Sequence, residues 1–382
     1  MIKLLTIVGA RPQFIKASAI SRTIKQDFWD KISEVILHTG QHYDDNMSSV
    51  FFREMEIPLP LYNLEVGSGK HGKQTADMLA GIESILSKES PDAVLIYGDT
   101  NSTLAGALAA AKMHIPVVHV EAGLRSFNKA MPEEINRIMA DHVSTLLFSP
   151  TQKGIDNLLG EGLKHSTSKP YNIDNPGVFH CGDIMYDNAL YFSKVADDKS
   201  TLLKDLRLKP SSYVLVTMHR DTNTDDPVRL NAIFKAIQRI SEKSDMKFVI
   251  PLHPRTRKKW NELPDDTLKD IIENNNLITI IPAVSYLDFI SLEKNSRLIM
   301  TDSGGVQKES YFFKKPCLIL RDETEWVELV ELGTALLCGA NEEKIVLSYK
   351  EIMGKKDLKF PDIYGDGQAA RFILNKILEN IK

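Results

Sequence analysis

The run Leu4-Leu5-Thr6-Ile7-Val8, followed directly by Gly9-Ala10-Arg11-Pro12, is the stretch that decides the fold of this chain. The run is apolar almost throughout and does not alternate, which is typical of a strand buried on both faces of a parallel sheet. The segment after it has helix length and carries Lys16 about one turn in. A buried strand followed by a helix is the repeating unit of a parallel α/β sheet.

This strand-and-helix unit recurs along the whole chain. Further apolar runs are found at Val35–His38, Val94–Tyr97, Val117–Val120, Leu146–Phe148 and Val178–His180, and then at Tyr213–Thr217, Phe248–Ile250, Leu277–Ile281, Leu298–Met300 and Cys317–Leu320. In the second set, Asp226-Pro227 has the residue types that begin a helix. Its apolar face is expected to contain Leu230, Ile233, Phe234 and Ile237. The pattern predicts two Rossmann-like, doubly wound α/β domains.

The length of the chain also indicates two domains, because a single hydrophobic core stops growing beyond ~250–300 residues and the chain has 382. We predict an N-terminal domain over residues 1–190 and a C-terminal, nucleotide-binding domain over 191–365. Residues 366–382 are long enough for one closing helix, which could pack on either domain.

Composition limits the partners and the compartment. The 47 basic and 51 acidic residues give a net charge of −4, which argues against a broad nucleic-acid or membrane surface. Cys181, Cys317 and Cys338 lie far apart without a CxxC pair, so we expect free thiols rather than a zinc site or disulfides. The Leu4–Val8 run is too short for a signal-peptide core or a membrane span. These features predict a cytoplasmic protein.

Polar segments follow six of the predicted strands. They are Gly9–Pro12, Gly98–Thr103, Glu121–Arg125, Met218–Arg220, Pro251–Arg255 and Thr301–Glu309. Ligands of parallel α/β sheets bind beyond the carboxyl ends of the strands. If the two domains face each other, these segments point into one cleft. We therefore predict a cleft enzyme for a phosphorylated or nucleotide ligand.

Anion-binding candidates lie at two of these strand ends. Ser303-Gly304-Gly305 suits a diphosphate, because glycines admit the phosphate and a helix N-terminus offers free N–H groups; a plain helix cap explains it equally well. Arg11 and Lys16 fit an anion, although a first-turn cap also accounts for Arg11. Glu309, two turns into the following helix, could reach a ribose diol or could be a solvated helix glutamate.

Three carboxylates and one histidine are the acid/base candidates. Asp99 could be a reacting group or only a helix N-cap. Glu121 follows four apolar strand residues, where a charge is costly unless it is used. Glu133 stands at a helix start, where acids are favoured in any case. His219 ends a buried strand, which favours a functional role.

Two nucleotide-binding motifs are absent or incomplete. Gly67–Lys73 nearly spells a P-loop, but Gln74 stands where Ser or Thr must hold magnesium, so we expect a mobile loop over a site. No G-x-G-x-x-G follows the first strand, which gives no support for NAD binding. We predict neither a cofactor nor a metal.

Read in order, the motifs resemble the non-hydrolysing UDP-N-acetylglucosamine 2-epimerases of bacteria and archaea over essentially the whole chain. The motifs that carry the resemblance are Gly9–Pro12, His38–His42, Gly98–Thr100, His119–Arg125, Pro132–Arg137 and Thr301–Gln307. The resemblance implies GT-B architecture, a UDP-sugar substrate, a homodimer and inversion at carbon 2 through elimination and re-addition of UDP, for surface polysaccharide synthesis.

The resemblance also implies roles for individual residues. Asp99, Glu121 and Glu133 correspond to the catalytic carboxylates, and His219 corresponds to the histidine near the leaving phosphate. The substrate-binding residues implied are Arg11, Lys16 and Arg137, the phosphate-binding turn Ser303, Gly304 and Gly305, and the ribose ligand Glu309.

Some details resemble one branch, which epimerises UDP-2,3-diacetamido-2,3-dideoxyglucuronate in O-antigen synthesis. They are Tyr97–Thr103, Arg125–Asn128 and Arg321–Glu328. The family run His-Arg-x-Glu-Asn appears as His219–Asn223 with Thr222 in place of glutamate. Asp44 and Lys73 replace the glutamine and arginine of enzymes activated by their own substrate, which argues against such activation.

Three rival functions remain. A GT-B glycosyltransferase would need an acceptor, a hydrolysing epimerase would release UDP, and a UDP-sugar sensor would tolerate loss of all three carboxylates. Retention of every candidate carboxylate weighs against the sensor.

Overall fold

The computed structural model describes residues 1–40, 58–163 and 169–381. The chain divides into two compact units, unit 1 comprising Met1–Asn188 with Asp362–Lys382, and unit 2 comprising Ala189–Pro361. The domain limits at 190 and 365 stay predictions. Asp44 and the Gln41-His42 end of one motif lie outside the described residues.

Unit 1 contains one parallel sheet with the strand order β3-β2-β1-β4-β5-β6-β7. Its strands are β1 (Ile2–Val8), β2 (Ile32–His38), β3 (Tyr62–Asn63), β4 (Ala93–Tyr97), β5 (Val117–Val120), β6 (Leu146–Ser149) and β7 (Gly177–His180). Its helices are α1 (Arg11–Thr23), continued by a π-helical turn at Ile24–Phe28, α2 (His71–Glu89), α3 (Asn101–Lys112), α4 (Pro132–His142) and α5 (Gln152–Gly160). Helix α6 (Ile184–Lys199) begins in unit 1 and ends in unit 2.

Unit 2 repeats this arrangement with the parallel order β10-β9-β8-β11-β12-β13. Its strands are β8 (Tyr213–Thr217), β9 (Lys247–Leu252), β10 (Ile278–Pro282), β11 (Leu298–Thr301), β12 (Cys317–Ile319) and β13 (Ala335–Leu337). Its helices are α7 (Leu202–Asp205), α8 (Asp221–Thr224), α9 (Pro227–Ser241), α10 (Pro254–Asn261), α11 (Asp266–Glu273), α12 (Tyr286–Asn295), α13 (Gly304–Phe312), α14 (Val327–Glu331) and α15 (Glu342–Gly354). The last helix, α16 (Ala369–Asn380), belongs to unit 1.

The two α/β sheets confirm the predicted fold class. Every predicted strand is present, with ends that shift by a few residues. Helix α9 begins at Pro227 as predicted, and the Asp226 carboxylate caps it by accepting from the N–H groups of Val228 and Arg229. Its predicted apolar face lies in the core of unit 2, where Phe234 packs on Trp260 with ring centroids 3.9 Å apart. Continuous apolarity therefore identified strands that are buried on both faces.

Two strands were not predicted, and one predicted loop is partly wrong. Strands β3 and β13 have two and three residues, too few to stand out as apolar runs. His71, Gly72 and Lys73 form the first turn of α2 rather than a loop. Gln74 stabilises this helix start, since its amide donates to the carbonyl of Gly67 at 2.7 Å.

In the described part of the chain, no helix is both long and apolar enough to cross a membrane. Cys317 and Cys338 are buried free thiols, and Cys181 is a half-buried one. Burial raises the pKa of the Cys317 thiol to about 12, which keeps it protonated and chemically inert at neutral pH.

Candidate active site

The ends of strands β1 and β4 are joined through Gln13 of helix α1. The Gln13 side-chain oxygen accepts from the backbone N–H of Gly9 at 2.8 Å, and its amide donates to the Tyr97 carbonyl at 2.9 Å. A Cβ on Gly9 would lie 2.0 Å from Ser102 Oγ, so only glycine fits at this strand end. Arg11 is exposed at the first position of α1, after the N-cap residue Ala10.

Lys16 and Glu121 form an ion pair at the same edge of the unit 1 sheet. The Lys16 ammonium contacts the Glu121 carboxylate, and the two side chains are only 12% and 13% exposed. Glu121 has φ 73° and the neighbouring Gly98 has φ 61°, a left-handed backbone that is unfavourable for residues other than glycine. A Cβ on Gly98 would lie 3.3 Å from both charged groups. The backbone therefore turns sharply to bring this pair together.

Asp99 lies beside Arg137 of helix α4. The Arg137 guanidinium contacts the Asp99 carboxylate and also bonds Glu134 at 3.1 Å. The Asn136 amide, which sequence reasoning did not single out, donates to the Asp99 carbonyl at 2.9 Å. Thr100 is the N-cap of α3, so the interpretation of Asp99 as a simple helix cap is wrong.

Glu133 and Glu134 follow Pro132 at the start of α4, but they occupy different environments. Glu134 is buried and accepts from the N–H groups of Ser126 and Phe127, both at 2.9 Å. Glu133 is exposed. Among the described residues, no hydrogen bond or ion pair joins it to Asp99 or Glu121. The structure brings together two of the three predicted carboxylate sites and leaves Glu133 facing solvent.

A buried network of charges lies beneath these carboxylates. The Asp141 carboxylate bonds His119 Nδ1 at 2.7 Å and Arg125 at 2.7 Å, and accepts from the Gly123 N–H at 3.1 Å. The other ring nitrogen of His119 lies 2.8 Å from the carbonyl of Gly98. Burial alone would raise the pKa of Asp141, but its bonds to His119 and Arg125 hold that pKa below the usual range. The network fixes the strand ends that carry Asp99 and Glu121.

In unit 2, the buried carboxylate of Asp302 organises the segment after strand β8. Asp302 accepts from the backbone N–H groups of His219 and Arg220, both at 3.1 Å, and from the Asn223 amide at 3.1 Å. His219 Nδ1 lies 3.3 Å from the same carboxylate, while half of the His219 side chain is exposed. Asp302 therefore holds the His219 ring at the surface of the unit.

The Ser303-Gly304-Gly305 turn begins helix α13. Ser303 is the N-cap and its hydroxyl accepts from the Val306 N–H. A Cβ would meet no atom closer than 3.6 Å at Gly304 or 3.9 Å at Gly305, so crowding within the chain does not require glycine at either position. Glycines at these positions place no side chain beside the first N–H groups of α13, the end of a helix that attracts anions.

A pocket of about 450 Å³ opens beside this turn. His219 and Ser303 line its polar side, and Phe289 and Val306 are among the apolar residues that line the rest. A largely apolar pocket with a few convergent polar groups is typical of a small-molecule site. Glu309 lies further along α13 and is half-buried.

The polar segment after β9 carries two further basic residues, His253 and Arg255, and both have local partners. Arg255 bonds Asp221 at 2.7 Å and Asp225 at 2.6 Å, so it is part of a local ion network. His253 is the N-cap of α10. Among the described residues, no group of three or more His, Cys, Asp or Glu side chains is arranged to hold a metal ion.

Comparison with known proteins identifies the class and then the family. The structure is similar to that of Phytolacca americana UGT2 in complex with UDP-2fluoro-glucose and pterostilbene, with a TM-score of 0.61 and 14% identity. The similarity covers 99% of this chain and 94% of the other. The two parallel sheets therefore form a GT-B-like fold. The family model described as UDP-N-acetylglucosamine 2-epimerase matches residues 25–378. The chain belongs to this family of nucleotide-sugar isomerases, and its chemistry is 2-epimerisation of a UDP-N-acetylhexosamine.

Two relatives illustrate the range of the family. The chain is 48% identical to the UDP-2,3-diacetamido-2,3-dideoxy-D-glucuronate 2-epimerase of Pseudomonas aeruginosa, over 96% of this chain and 97% of that protein. It is also similar to the crystal structure of Methanocaldococcus jannaschii UDP-GlcNAc 2-epimerase in complex with UDP-GlcNAc and UDP. That similarity has a TM-score of 0.80 and 41% identity, and covers 99% of this chain and 100% of the other.

Proposed function

We propose that this chain inverts carbon 2 of a UDP-N-acetylhexosamine by eliminating UDP and adding it back. The C2–H bond loses its proton to a protein base while the bond from carbon 1 to the diphosphate oxygen breaks. The products are a 2-acetamidoglucal and UDP. Re-addition of UDP with protonation on the opposite face gives the epimer. The observation that carries the proposal is the pair of carboxylates, Asp99 and Glu121, each held beside a cation at adjacent strand ends of unit 1.

Protonation on two faces of the sugar requires two acid/base groups or one relayed group. We assign this work to Asp99, Glu121 and Glu133. Lys16 contacts Glu121 and Arg137 contacts Asp99, so each cation orients the carboxylate beside it. Lys16 and Arg137 therefore act here as partners of the reacting groups as well as candidate substrate ligands.

Departure of UDP builds negative charge on the β-phosphate. We assign the stabilisation of this charge to His219, Arg11 and the N-terminus of α13 at Ser303, Gly304 and Gly305. Donors that are already oriented in the ground state need no reorganisation as the charge develops. Asp302 supplies that orientation for His219, and Glu309 is assigned to the ribose.

The carboxylate assignment is tested by the variants Asp99→Asn, Glu121→Gln and Glu133→Gln. Each should lower turnover by at least ~100-fold, the low end for loss of an acid/base group. Glu83→Gln, which replaces an exposed carboxylate on α2, is the matched control and should retain wild-type turnover. Near-normal rates in all three variants would refute the assignment and favour a UDP-sugar sensor.

Two sugars are candidates for the substrate. The similarity to the M. jannaschii enzyme favours UDP-GlcNAc, with UDP-ManNAc as product. The P. aeruginosa relative favours UDP-2,3-diacetamido-2,3-dideoxyglucuronate. A cavity of about 590 Å³ in unit 2 is lined by Arg220, Thr222, Arg229, Arg321, Asp322 and Glu323. Because Arg229 pairs with Asp322 and Arg321 pairs with Glu325, this lining favours neither sugar.

Assays with each nucleotide sugar alone distinguish the candidates. Epimerisation of either without an acceptor supports the proposal and identifies the sugar. Silence on both, with reaction only after a carbohydrate acceptor is added, would instead indicate a glycosyltransferase. Net release of UDP with free ManNAc would indicate a hydrolysing epimerase.

We further propose that the protein is a cytoplasmic homodimer that supplies surface polysaccharide synthesis. Met131, Ile135 and Met139 are spaced by four residues and are 37%, 48% and 43% exposed. An exposed apolar stripe of this kind is typical of a protein interface. Light scattering should give twice the chain mass, and Ile135→Glu should shift it towards the monomer if this stripe is the interface.

A further inference from the structure

Two glutamates meet one helical turn beyond the apolar pocket of unit 2. Phe289 of α12 and Val306 of α13 line that pocket. Glu293 follows Phe289 by four residues and Glu309 follows Val306 by three, so each glutamate lies on the same helix face as its pocket residue. The Glu309 carboxyl is within hydrogen-bonding reach of the Glu293 carboxyl.

Glu293 is completely buried, and no ion pair to its carboxyl group is found among the described residues. Neither of its carboxylate oxygens receives a hydrogen bond in the described structure. The Tyr213 hydroxyl, which lies close enough to be affected by Glu293, donates instead to the Leu292 carbonyl at 2.6 Å. A further titratable neighbour of Glu293 is the buried thiol of Cys317. An ionised carboxylate in this position would be unpaired, which is strongly unfavourable.

A hydrogen bond between Glu293 and Glu309 requires a proton on one of the two carboxyl groups. Two carboxylates have only acceptor oxygens and cannot bond each other, whereas a carboxylic acid carries one O–H donor. We propose that Glu293 is a neutral carboxylic acid that donates a hydrogen bond to Glu309 and so holds the Glu309 carboxylate in position for the ribose hydroxyls. Glu293 is thus a positioning residue for nucleotide binding. The proposal rests on the assignment of Glu309 to the ribose.

The electrostatics agree with this geometry. Burial and the neighbouring Glu309 raise the pKa of Glu293 well above its usual range, which is the direction that favours the neutral acid. Glu309 is half-exposed by comparison and takes the negative charge of the pair. A carboxylate that accepts one bond from Glu293 still has lone pairs for two ribose hydroxyls.

Calorimetric titration with UDP and with 2′,3′-dideoxy-UDP tests the proposal. Glu293→Met keeps the length of the side chain but removes the donor. It should weaken UDP binding by about 3–10-fold, the effect of one lost hydrogen bond, and should leave dideoxy-UDP binding unchanged. Glu293→Gln retains an N–H donor and should rescue UDP binding to within about 2-fold of wild type on the same scale.

Glu309→Gln separates this inference from the assignment on which it rests. If Glu309→Gln still discriminates UDP from dideoxy-UDP as the wild type does, the ribose assignment itself is wrong. If Glu309→Gln loses that discrimination but Glu293→Met keeps it, only the role of Glu293 is wrong. Equal weakening of both nucleotides by Glu293→Met would also overturn the proposal, because it indicates a general structural defect.

A spectroscopic measurement does not depend on the folding of the methionine variant. Infrared difference spectra of wild type minus Glu293→Gln at neutral pH should contain the carbonyl stretch of a protonated carboxyl group. If that difference contains carboxylate bands and no band of a protonated carboxyl group, Glu293 is ionised and the proposal is wrong.

Discussion

Replacement of Asp141 by Asn should lower the unfolding free energy of unit 1, because Asp141 lies at the centre of the buried charge network. Asp141 is fully buried and accepts bonds from His119 and Arg125, each at 2.7 Å, and from the Gly123 N–H at 3.1 Å. Breaking a buried ion pair by removing one partner costs about 3–5 kcal/mol. Arg125 keeps a second partner, since it binds both oxygens of Glu161 at 2.7 Å. We therefore expect a loss near the lower end, about 3 kcal/mol.

The assay must distinguish the two units, because a protein with two compact units need not unfold in one step. Hydrogen-exchange mass spectrometry in increasing denaturant reports β4, β5 and α4 separately from unit 2. Asp141→Asn should destabilise the peptides of unit 1 and leave those of unit 2 unchanged. The control is Glu161→Gln at the outer, partly exposed end of the network, which should cost about 0–1 kcal/mol. A loss for Asp141→Asn no larger than that of the control would mean that the buried carboxylate stabilises unit 1 no more than the exposed one does.

The same variant has a predicted pH dependence. The pKa of Asp141 is lowered in the folded protein, so its stabilisation is present above the unfolded value of about 3.9. That stabilisation is lost as the pH falls through the lower folded value. The stability difference between wild type and Asp141→Asn should therefore shrink on acidification below about pH 4. A difference that stays constant there would contradict the assigned charge state.

Three other perturbations test the geometry of unit 1. Gly98→Ala places a Cβ beside Glu121 at a residue with φ 61°, which should cost about 1–2 kcal/mol of unfolding free energy. In steady-state kinetics it should lower kcat more than it raises KM. Asn136→Ala removes the amide that bonds the Asp99 carbonyl and should lower kcat about 10-fold, the equivalent of ~1.4 kcal/mol, without changing the melting temperature by more than a few degrees. Burial raises the pKa of Asp187 to about 6 although it accepts from two N–H groups at the start of α16. Protonated Asp187 therefore stabilises the folded protein fully below the unfolded pKa of about 3.9, and this stabilisation is lost as the pH rises through about 6. Between pH 4 and 7 the wild type should lose up to about 3 kcal/mol of unfolding free energy relative to Asp187→Asn, measured by denaturant titration.

The sequence predicted those features of the fold that depend on local pattern. Buried parallel strands are apolar on both faces, so β1, β4 and β8 were evident from their runs alone. The capped start of α9 was equally evident, because Asp226 and Pro227 are adjacent. Strand β3 was missed because two residues are too few for a pattern, and its pairing with β2 is a tertiary contact.

The candidate site was predictable at the level of strand ends but not of side-chain pairs. Lys16 was interpreted as an anion ligand, and only the fold brings it to Glu121, which is 105 residues away in sequence. Asp141 and Glu293 occupy ordinary helix positions and resemble solvated carboxylates in the sequence. Their burial depends on which elements pack over them, and a single sequence does not contain that information.

Inversion through elimination of UDP is tested most directly by proton NMR in D2O. The purified protein is mixed with UDP-GlcNAc and, separately, with UDP-2,3-diacetamido-2,3-dideoxyglucuronate. Elimination across carbons 1 and 2 exchanges the C2 proton with solvent. We expect a new manno anomeric signal for one of the two nucleotide sugars, with deuterium at carbon 2 of the product. A manno product that fully retains its original C2 hydrogen would contradict inversion through elimination, because that route passes the C2 proton to a base that exchanges with D2O.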